Sequence, residues 1–117
     1  PAHSCAPGKC LLAEVEENSL AQLLPAKLDQ LTNATITDLE ALQIELKKVR
    51  SEGIATDRQE HTDGISAVAT VITNLPRGTA AISIPMPTQR FKGNEKHYAE
   101  ALLAAREKIN HALGLNR

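Results

Sequence analysis

The feature that most constrains the fold is a run of β-branched and small residues at positions 65–72, ISAVATVI. This composition is typical of a β-strand. Because side chains alternate along a strand, Ala67 and Ala69 share one face, which is therefore shallow. The polar segment 57–63 leads to Gly64, which suits a turn, and residues 54–56 begin an earlier extended run. We expect two strands joined by this turn, with Asp57 and the shallow face forming a wall of a small-molecule pocket.

The best-defined helix is predicted at residues 38–52, just before the first strand. Thr37 and Glu40 match a capping box at its start. Gly53 follows it, at the place where a left-handed residue commonly ends a helix. Its apolar residues recur at spacings of three and four, which places them on one face: Leu39, Leu42, Leu46 and Val49.

Two short helices are predicted near the start of the chain. Pro7 suits the first turn of a helix at residues 8–17, with Leu11, Leu12 and Val15 on one side. Residues 18–24 form the second short helix, and residues 26–36 form a connector.

A returning strand is predicted at residues 79–84, after a turn at 74–78. Ala81 and Ser83 share one of its faces, so a second small-residue surface lies beside the first. Pro85 and Pro87 are expected to stop this strand, and residues 88–93 to form a loop.

The last element predicted is a helix that Asn94 begins and Gly114 ends. Its apolar stripe is Tyr98, Leu102, Ala105 and Ile109. Helices on one face of a mainly antiparallel sheet define an α+β fold with two layers.

Charge and composition argue against several functions. The net charge is −1 and the chain holds one Phe and one Tyr, so we do not expect it to bind nucleic acid by itself. No apolar run approaches the roughly 18 residues of a membrane span. We find no Gly-rich phosphate loop, G-x-S-x-G elbow or H-E-x-x-H motif, and no cofactor is expected. Two cysteines without a secretory leader indicate free thiols in the cytoplasm.

Four segments in order carry a family resemblance. They are HSCAPGKCLLA at 3–13, LTNATITDLEALQIELKKVRSEG at 31–53, the spaced pattern RSEG-x-A-x-D-x-x-E-H-x-x-G-x-x-A-V-A-x-V at 50–71, and GTAAISIPMPTQRF at 78–91. Together they resemble the effector-binding domain of the IclR family of bacterial transcriptional regulators. The likeness covers residues 3–90. It implies a GAF-like, profilin-type fold and a domain that catalyses no reaction.

The resemblance also implies a site for a small organic-acid effector. In the family the helix start at Ala6 and Pro7 lies against the effector, and free backbone N–H groups at a helix start can hold a carboxylate. Pro7 removes one such donor, for which the Gly8 N–H could substitute. Further positions that line the family pocket are occupied here by Asp57, Ala67, Ser83 and Pro85.

Three of these positions depart from the usual family residues, and Pro7 is the first, since a small residue is more usual there. Ala67 stands where some members of the family have a polar or sulfur-bearing residue, and Pro85 replaces a frequent Ser. The expected pocket therefore has fewer polar groups than the pockets of family members that bind the smallest keto acids. We expect a larger or more apolar organic acid, such as an aromatic one. Asp57 can accept a hydroxyl or, when protonated, donate to the ligand.

The likeness extends over only the later two-thirds of the family's effector domain, so residues 1–117 are expected to form part of it. The family's winged helix-turn-helix is not within this sequence, and DNA contact is expected only through that domain. The resemblance implies a homodimer or homotetramer with no membrane contact.

Other interpretations stay open from the residues alone. Asp57 could instead be a hydrogen-bonded structural acid in the turn. Cys5, near a helix start, could be the nucleophile of a small thiol enzyme with His3 or His61. The spacing of His3, Cys5 and Cys10 matches no closed zinc site, so no metal is expected. A third alternative is a purely structural oligomerisation module.

Overall fold

The computed structural model describes residues 1–76 and 78–114. The mixed α+β class, with an antiparallel sheet and flanking helices, is confirmed. Within the described residues, none of the helices has both the length and the apolar character needed to cross a bilayer. After a 3₁₀ helix at Ala2–Ser4, the elements are α1 (Ala6–Ala13), α2 (Glu17–Leu23), α3 (Leu39–Glu52), β1 (Ala55–Arg58), β2 (Ile65–Leu75), β3 (Gly78–Pro87), α4 (Thr88–Phe91) and α5 (Glu95–Ala112).

The three strands form one antiparallel sheet in the order β1-β2-β3. Asp57 lies opposite Ala67, and Ala67 in turn lies opposite Pro85. Two residues along β2, Ala69 lies opposite Ser83. The predicted pair of strands around the polar turn is therefore confirmed, and its register brings the small residues of β2 and β3 together.

β2 is buried on both faces, and helices cover both of them. Ala67 and Ala69 belong to one apolar cluster with residues of α1 and α3. Val68 belongs to a second cluster, with Phe91 of α4 and Leu102 of α5. The expectation that helices lie on one face only was wrong, because Val68 and Ile72 on the second face are apolar and are buried under a helical cover.

Polar side chains of β2 on the second face are hydrogen-bonded. Thr70 Oγ1 donates to the Gly53 carbonyl at 2.7 Å and accepts from Arg106 Nη1 at 3.0 Å. Ser66 Oγ lies 2.9 Å from Thr88 Oγ1. These bonds satisfy groups whose burial would otherwise cost stability, and they tie α3, α4 and α5 to one strand.

α3 matches its predicted bounds within one residue, and its apolar face packs into the core. Gly53 ends the helix with a φ of 74°, as predicted. The predicted capping box was wrong, because Asp38 and not Thr37 is the N-cap residue. Asp38 Oδ1 accepts the Ala41 N–H at 2.8 Å, which satisfies one of the free donors at the helix start.

α1 begins at Ala6, two residues earlier than predicted, and Pro7 lies in its first turn as expected. Its buried face differs from the prediction, since Leu11 is 42% exposed whereas Lys9 is fully buried. The buried positions 6, 9, 10 and 13 follow helical spacing. The small residues of α1 therefore face the sheet, and the helix packs close to it.

β3 continues through Pro85 to Pro87, so the prediction that these prolines stop the strand was wrong. β3 is an edge strand among the described residues, and an edge tolerates proline when its nitrogen faces outward. Pro85 and Pro87 are two positions apart in the strand, so their backbone nitrogens point to the same side. The Thr88 N–H turns back to donate to Gly64 O at 2.8 Å, and α4 occupies part of the predicted loop.

α5 begins after Asn94 as predicted, although the Asn94 side chain donates to Arg90 O at 3.0 Å instead of capping the helix. Gly114 follows the end of α5 with a φ of 69°. Leu102 is buried as expected, whereas Ala105 of the predicted stripe is exposed, because α5 covers the sheet with a narrow face.

Candidate functional site

A cavity of about 220 Å³ lies between the start of α1, the turn after β1 and the small-residue face of β2 and β3. Six of the seven residues predicted for a ligand site line this one space, and Gly8 is the exception. The lining residues are Cys5, Ala6, Pro7, Asp57, His61, Thr62, Ile65, Ala67, Ser83 and Pro85.

The floor of the cavity follows from the register of the sheet. Asp57, Ala67 and Pro85 are successive partners across the three strands. Partners in an antiparallel ladder point to the same side, so a carboxyl, a methyl group and a proline ring lie side by side. Ala67 is the smallest of the three, and its short side chain leaves the space above the row open.

The start of α1 forms the opposite wall. The first backbone N–H bonded in the helical pattern is that of Lys9, which donates to Cys5 O at 3.0 Å. The N–H of Ala6 therefore has no helical partner, and Pro7 has no N–H. Gly8 is buried beneath this wall: a Cβ there would lie 2.6 Å from Ala2 Cα. Glycine at position 8 thus allows the 3₁₀ helix to pack against α1.

Asp57 is the acidic group of the cavity and is only 4% exposed. Its Oδ1 accepts the Glu60 N–H at 2.7 Å. Burial raises the pKa of this carboxyl above its usual value, and the Glu60 N–H partly offsets the shift. The Glu60 charge raises this pKa further, whereas Lys9 and the His61 N–H lower it. A carboxyl with a raised pKa can accept a hydrogen bond when ionised and donate one when protonated.

The turn between β1 and β2 carries two lining residues, His61 and Thr62, that sequence reasoning did not assign to the site. Gln59 adopts a φ of 60°, which is uncommon for a residue other than glycine. Two hydroxyls from the connector hold this backbone: Thr32 Oγ1 donates to Gln59 O and Thr35 Oγ1 donates to Glu60 O, each at 2.6 Å. The strained turn is therefore fixed from outside the cavity.

Lys9 is the second feature that sequence reasoning missed. Its side chain is fully buried, and Nζ donates to Glu45 Oε2 and to Thr56 O, both at 2.9 Å. Glu60 Oε1 lies 2.6 Å from the same nitrogen as an ion pair. A signal was present in the sequence, because Lys9 follows Ala6 by three positions and so lies on the face of α1 that enters the core.

The two cysteines differ in environment, and both are free thiols. Burial raises the pKa of Cys10 to about 11, so its thiol stays protonated and unreactive at neutral pH. Cys5 lines the cavity, as does His61. His3 lies elsewhere, with Nε2 2.7 Å from Asp29 O. Among the described residues, no group of three or more His, Cys, Asp or Glu side chains is placed to hold a metal ion.

Residues 1–111 match the family model described as bacterial transcriptional regulator IclR C-terminal. The chain is 44% identical over 110 residues to the HTH-type transcriptional regulator Rv1719 of Mycobacterium tuberculosis. That match covers 94% of this chain but 42% of the relative, so the chain spans about two-fifths of the length of this regulator.

Solved structures give the same assignment of fold. The C-terminal domain of the Escherichia coli transcriptional regulator KdgR superimposes with a TM-score of 0.80 at 32% identity, over 97% of this chain and 71% of that one. The IclR protein of Thermotoga maritima superimposes with a TM-score of 0.83 at 33% identity, over 97% of this chain and 47% of that one.

Proposed function

The chain belongs to the IclR family of bacterial transcriptional regulators, and we propose that it is the part of such a regulator that binds a small-molecule effector. The observation that carries this proposal is the cavity at the start of α1, where six residues from distant parts of the chain converge. Its relatives are named as transcriptional regulators, which favours a sensing role over an enzymatic one.

The ligand we propose is an organic acid that is larger or more apolar than the smallest keto acids, such as an aromatic acid. The volume of the cavity, about 220 Å³, suits a compact single-ring molecule. Proline rings, alanine methyl groups and Ile65 supply an apolar lining. The ligand carboxylate meets the free N–H at the start of α1, and a ligand hydroxyl meets Asp57 or Ser83.

Effector binding in this proposal alters operator binding by a separate helix-turn-helix domain, and this chain itself does not contact DNA. The regulator acts in the cytoplasm as a homodimer or homotetramer. An effector can shift such an assembly only if it binds one arrangement more tightly than the other. The cavity is suited to this role because α1, the turn and the sheet each supply part of its lining, so a bound ligand contacts all three.

Isothermal titration calorimetry on this chain tests the proposal with benzoate, 4-hydroxybenzoate, phenylacetate and pyruvate as probes. We expect saturable binding of the aromatic acids and weaker binding of pyruvate. Asp57→Ala should weaken the best probe by roughly tenfold to hundredfold, the loss expected for a hydrogen bond that involves a charged group. Asp63→Ala removes a matched, exposed acid from the same turn and should leave affinity unchanged. Unaltered affinity in Asp57→Ala would remove Asp57 from the site.

A further inference from the structure

We propose that Lys9 is a positioning residue for the cavity, because its buried ammonium group fixes the turn after β1 against α1 through Glu60. That the cavity binds a ligand rests on the proposed function, whereas the role of the Lys9–Glu60 ion pair in fixing the turn does not. Neither Lys9 nor Glu60 lines the cavity, so neither is expected to touch a ligand.

The ammonium of Lys9 joins three separate segments. It donates hydrogen bonds to Glu45 of α3 and to the Thr56 carbonyl of β1, both at 2.9 Å, and it forms an ion pair with Glu60 of the turn at 2.6 Å. Its side chain has no exposed area, so water cannot replace a missing partner on that side. The three contacts together satisfy the buried ammonium group, and they connect α3, β1 and the turn through one atom.

Glu60 connects Lys9 to residues that line the cavity. Its Oε1 faces the ammonium, while Oε2 accepts the Arg58 N–H at 3.0 Å. Its own N–H donates to Asp57 Oδ1 at 2.7 Å. The Asp57 carboxyl is thus one hydrogen bond away from the residue that Lys9 holds, and His61 follows directly in the chain.

Glu45 provides the matched comparison, since it shares the same ammonium but has no bond to the turn. It uses one oxygen, Oε2, for Lys9, and its side chain is 26% exposed. A glutamine at position 45 can keep that single contact through its amide oxygen. A glutamine at position 60 cannot serve both Lys9 and the Arg58 N–H, because an amide has one acceptor oxygen where a carboxylate has two.

The test compares Glu60→Gln with Glu45→Gln by amide hydrogen exchange on the ligand-free chain. We expect Glu60→Gln to raise the exchange rates of residues 58–62 at least tenfold while the centre of β2 stays protected. Glu45→Gln should change the same amides by less than threefold. If Lys9→Met folds, it should reproduce the pattern of Glu60→Gln. Equal exchange of residues 58–62 in the two glutamine variants would overturn the proposal.

Calorimetry with 4-hydroxybenzoate supplies the second measurement. Glu60→Gln should weaken binding at least tenfold, and Glu45→Gln should leave it within threefold, although neither side chain lines the cavity. Wild-type affinity in Glu60→Gln would show that the ion pair does not position the site. If the wild-type chain binds none of the aromatic probes, the proposed ligand class fails, and hydrogen exchange still decides the role of Lys9.

Discussion

Asp57 lies directly opposite Ala67 in the β1–β2 ladder, so the buried carboxyl and the smallest side chain of the cavity floor point to the same side. Any group added to Ala67 therefore enters the space beside the carboxyl. The size of residue 67 and the charge of residue 57 can be tested separately, because one residue sets the room available and the other sets the polar contact.

Ala67→Leu should abolish binding of aromatic acids while keeping the fold. Ala67 is buried in the cluster with α1 and α3 but also lines the cavity, so the leucine side chain can occupy that space instead of displacing packed neighbours. Ala69→Leu is the control: Ala69 is fully buried and does not line the cavity, so overpacking should cost about 1–3 kcal/mol of stability. Calorimetry and thermal unfolding measure the two effects. Equal destabilisation by both variants would mean that the space above Ala67 is already filled.

Asp57→Asn should stabilise the chain at pH 7 but not at low pH. The pKa of Asp57 is raised in the folded state, so the folded chain binds more protons than the unfolded chain above pH 3.8, the usual value. The free energy of unfolding of the wild-type chain therefore falls as the pH rises from the usual pKa through the raised pKa of the folded state. The asparagine variant does not titrate and does not lose this stability. Asparagine also retains an acceptor for the Glu60 N–H. Urea unfolding at pH 3.5 and pH 7 measures the difference, which a pH-independent effect of the mutation would contradict.

Gly8→Ala should destabilise the chain by about 1–3 kcal/mol through overpacking. The added methyl group would meet the backbone of Ala2, which cannot move aside as the end of a flexible side chain could. Leu11→Ala on the same helix is the control, because Leu11 is 42% exposed and a surface change of this kind usually stays within about 0.5 kcal/mol. Denaturant unfolding compares them, and a neutral Gly8→Ala would show that the 3₁₀ helix does not pack tightly here.

Iodoacetamide should modify Cys5 and spare Cys10 in the native chain. Cys10 is buried and its pKa is raised to about 11, so little thiolate forms at pH 8. Peptide mass spectrometry identifies the modified residue. Alkylated Cys5 should block the cavity that it lines, whereas Cys5→Ser should bind the aromatic probes normally. Loss of binding in Cys5→Ser would instead indicate that the thiol itself contacts the ligand.

The cavity floor was predictable because it depends on local rules. Alternation along β2 and β3 places Ala67 and Ser83 on the same face of one hairpin, and the β1–β2 pairing places Asp57 beside Ala67. The same rules located the end of α3 at Gly53. Each of these features depends on residues within one element or on its immediate neighbours along the chain.

Long-range pairing was not predictable in the same way. The partners of Lys9 lie on α3, on β1 and in the turn, so no local pattern identifies them. The burial of both faces of β2 likewise depends on α5, which is distant in sequence. Pro85 was misjudged because its effect depends on which side of β3 has a neighbouring strand.

The end of β3 beside the cavity has an unusual outer side, because Pro85 and Pro87 supply no hydrogen there for another backbone. A strand of another molecule that paired with this end would meet two successive positions without an N–H donor. Its carbonyl groups there would have no hydrogen-bond partner. Among the described residues, this end of the β3 edge is therefore a poor template for sheet extension by another molecule. The remaining length of β3 keeps its backbone N–H groups, and with them its capacity for strand pairing.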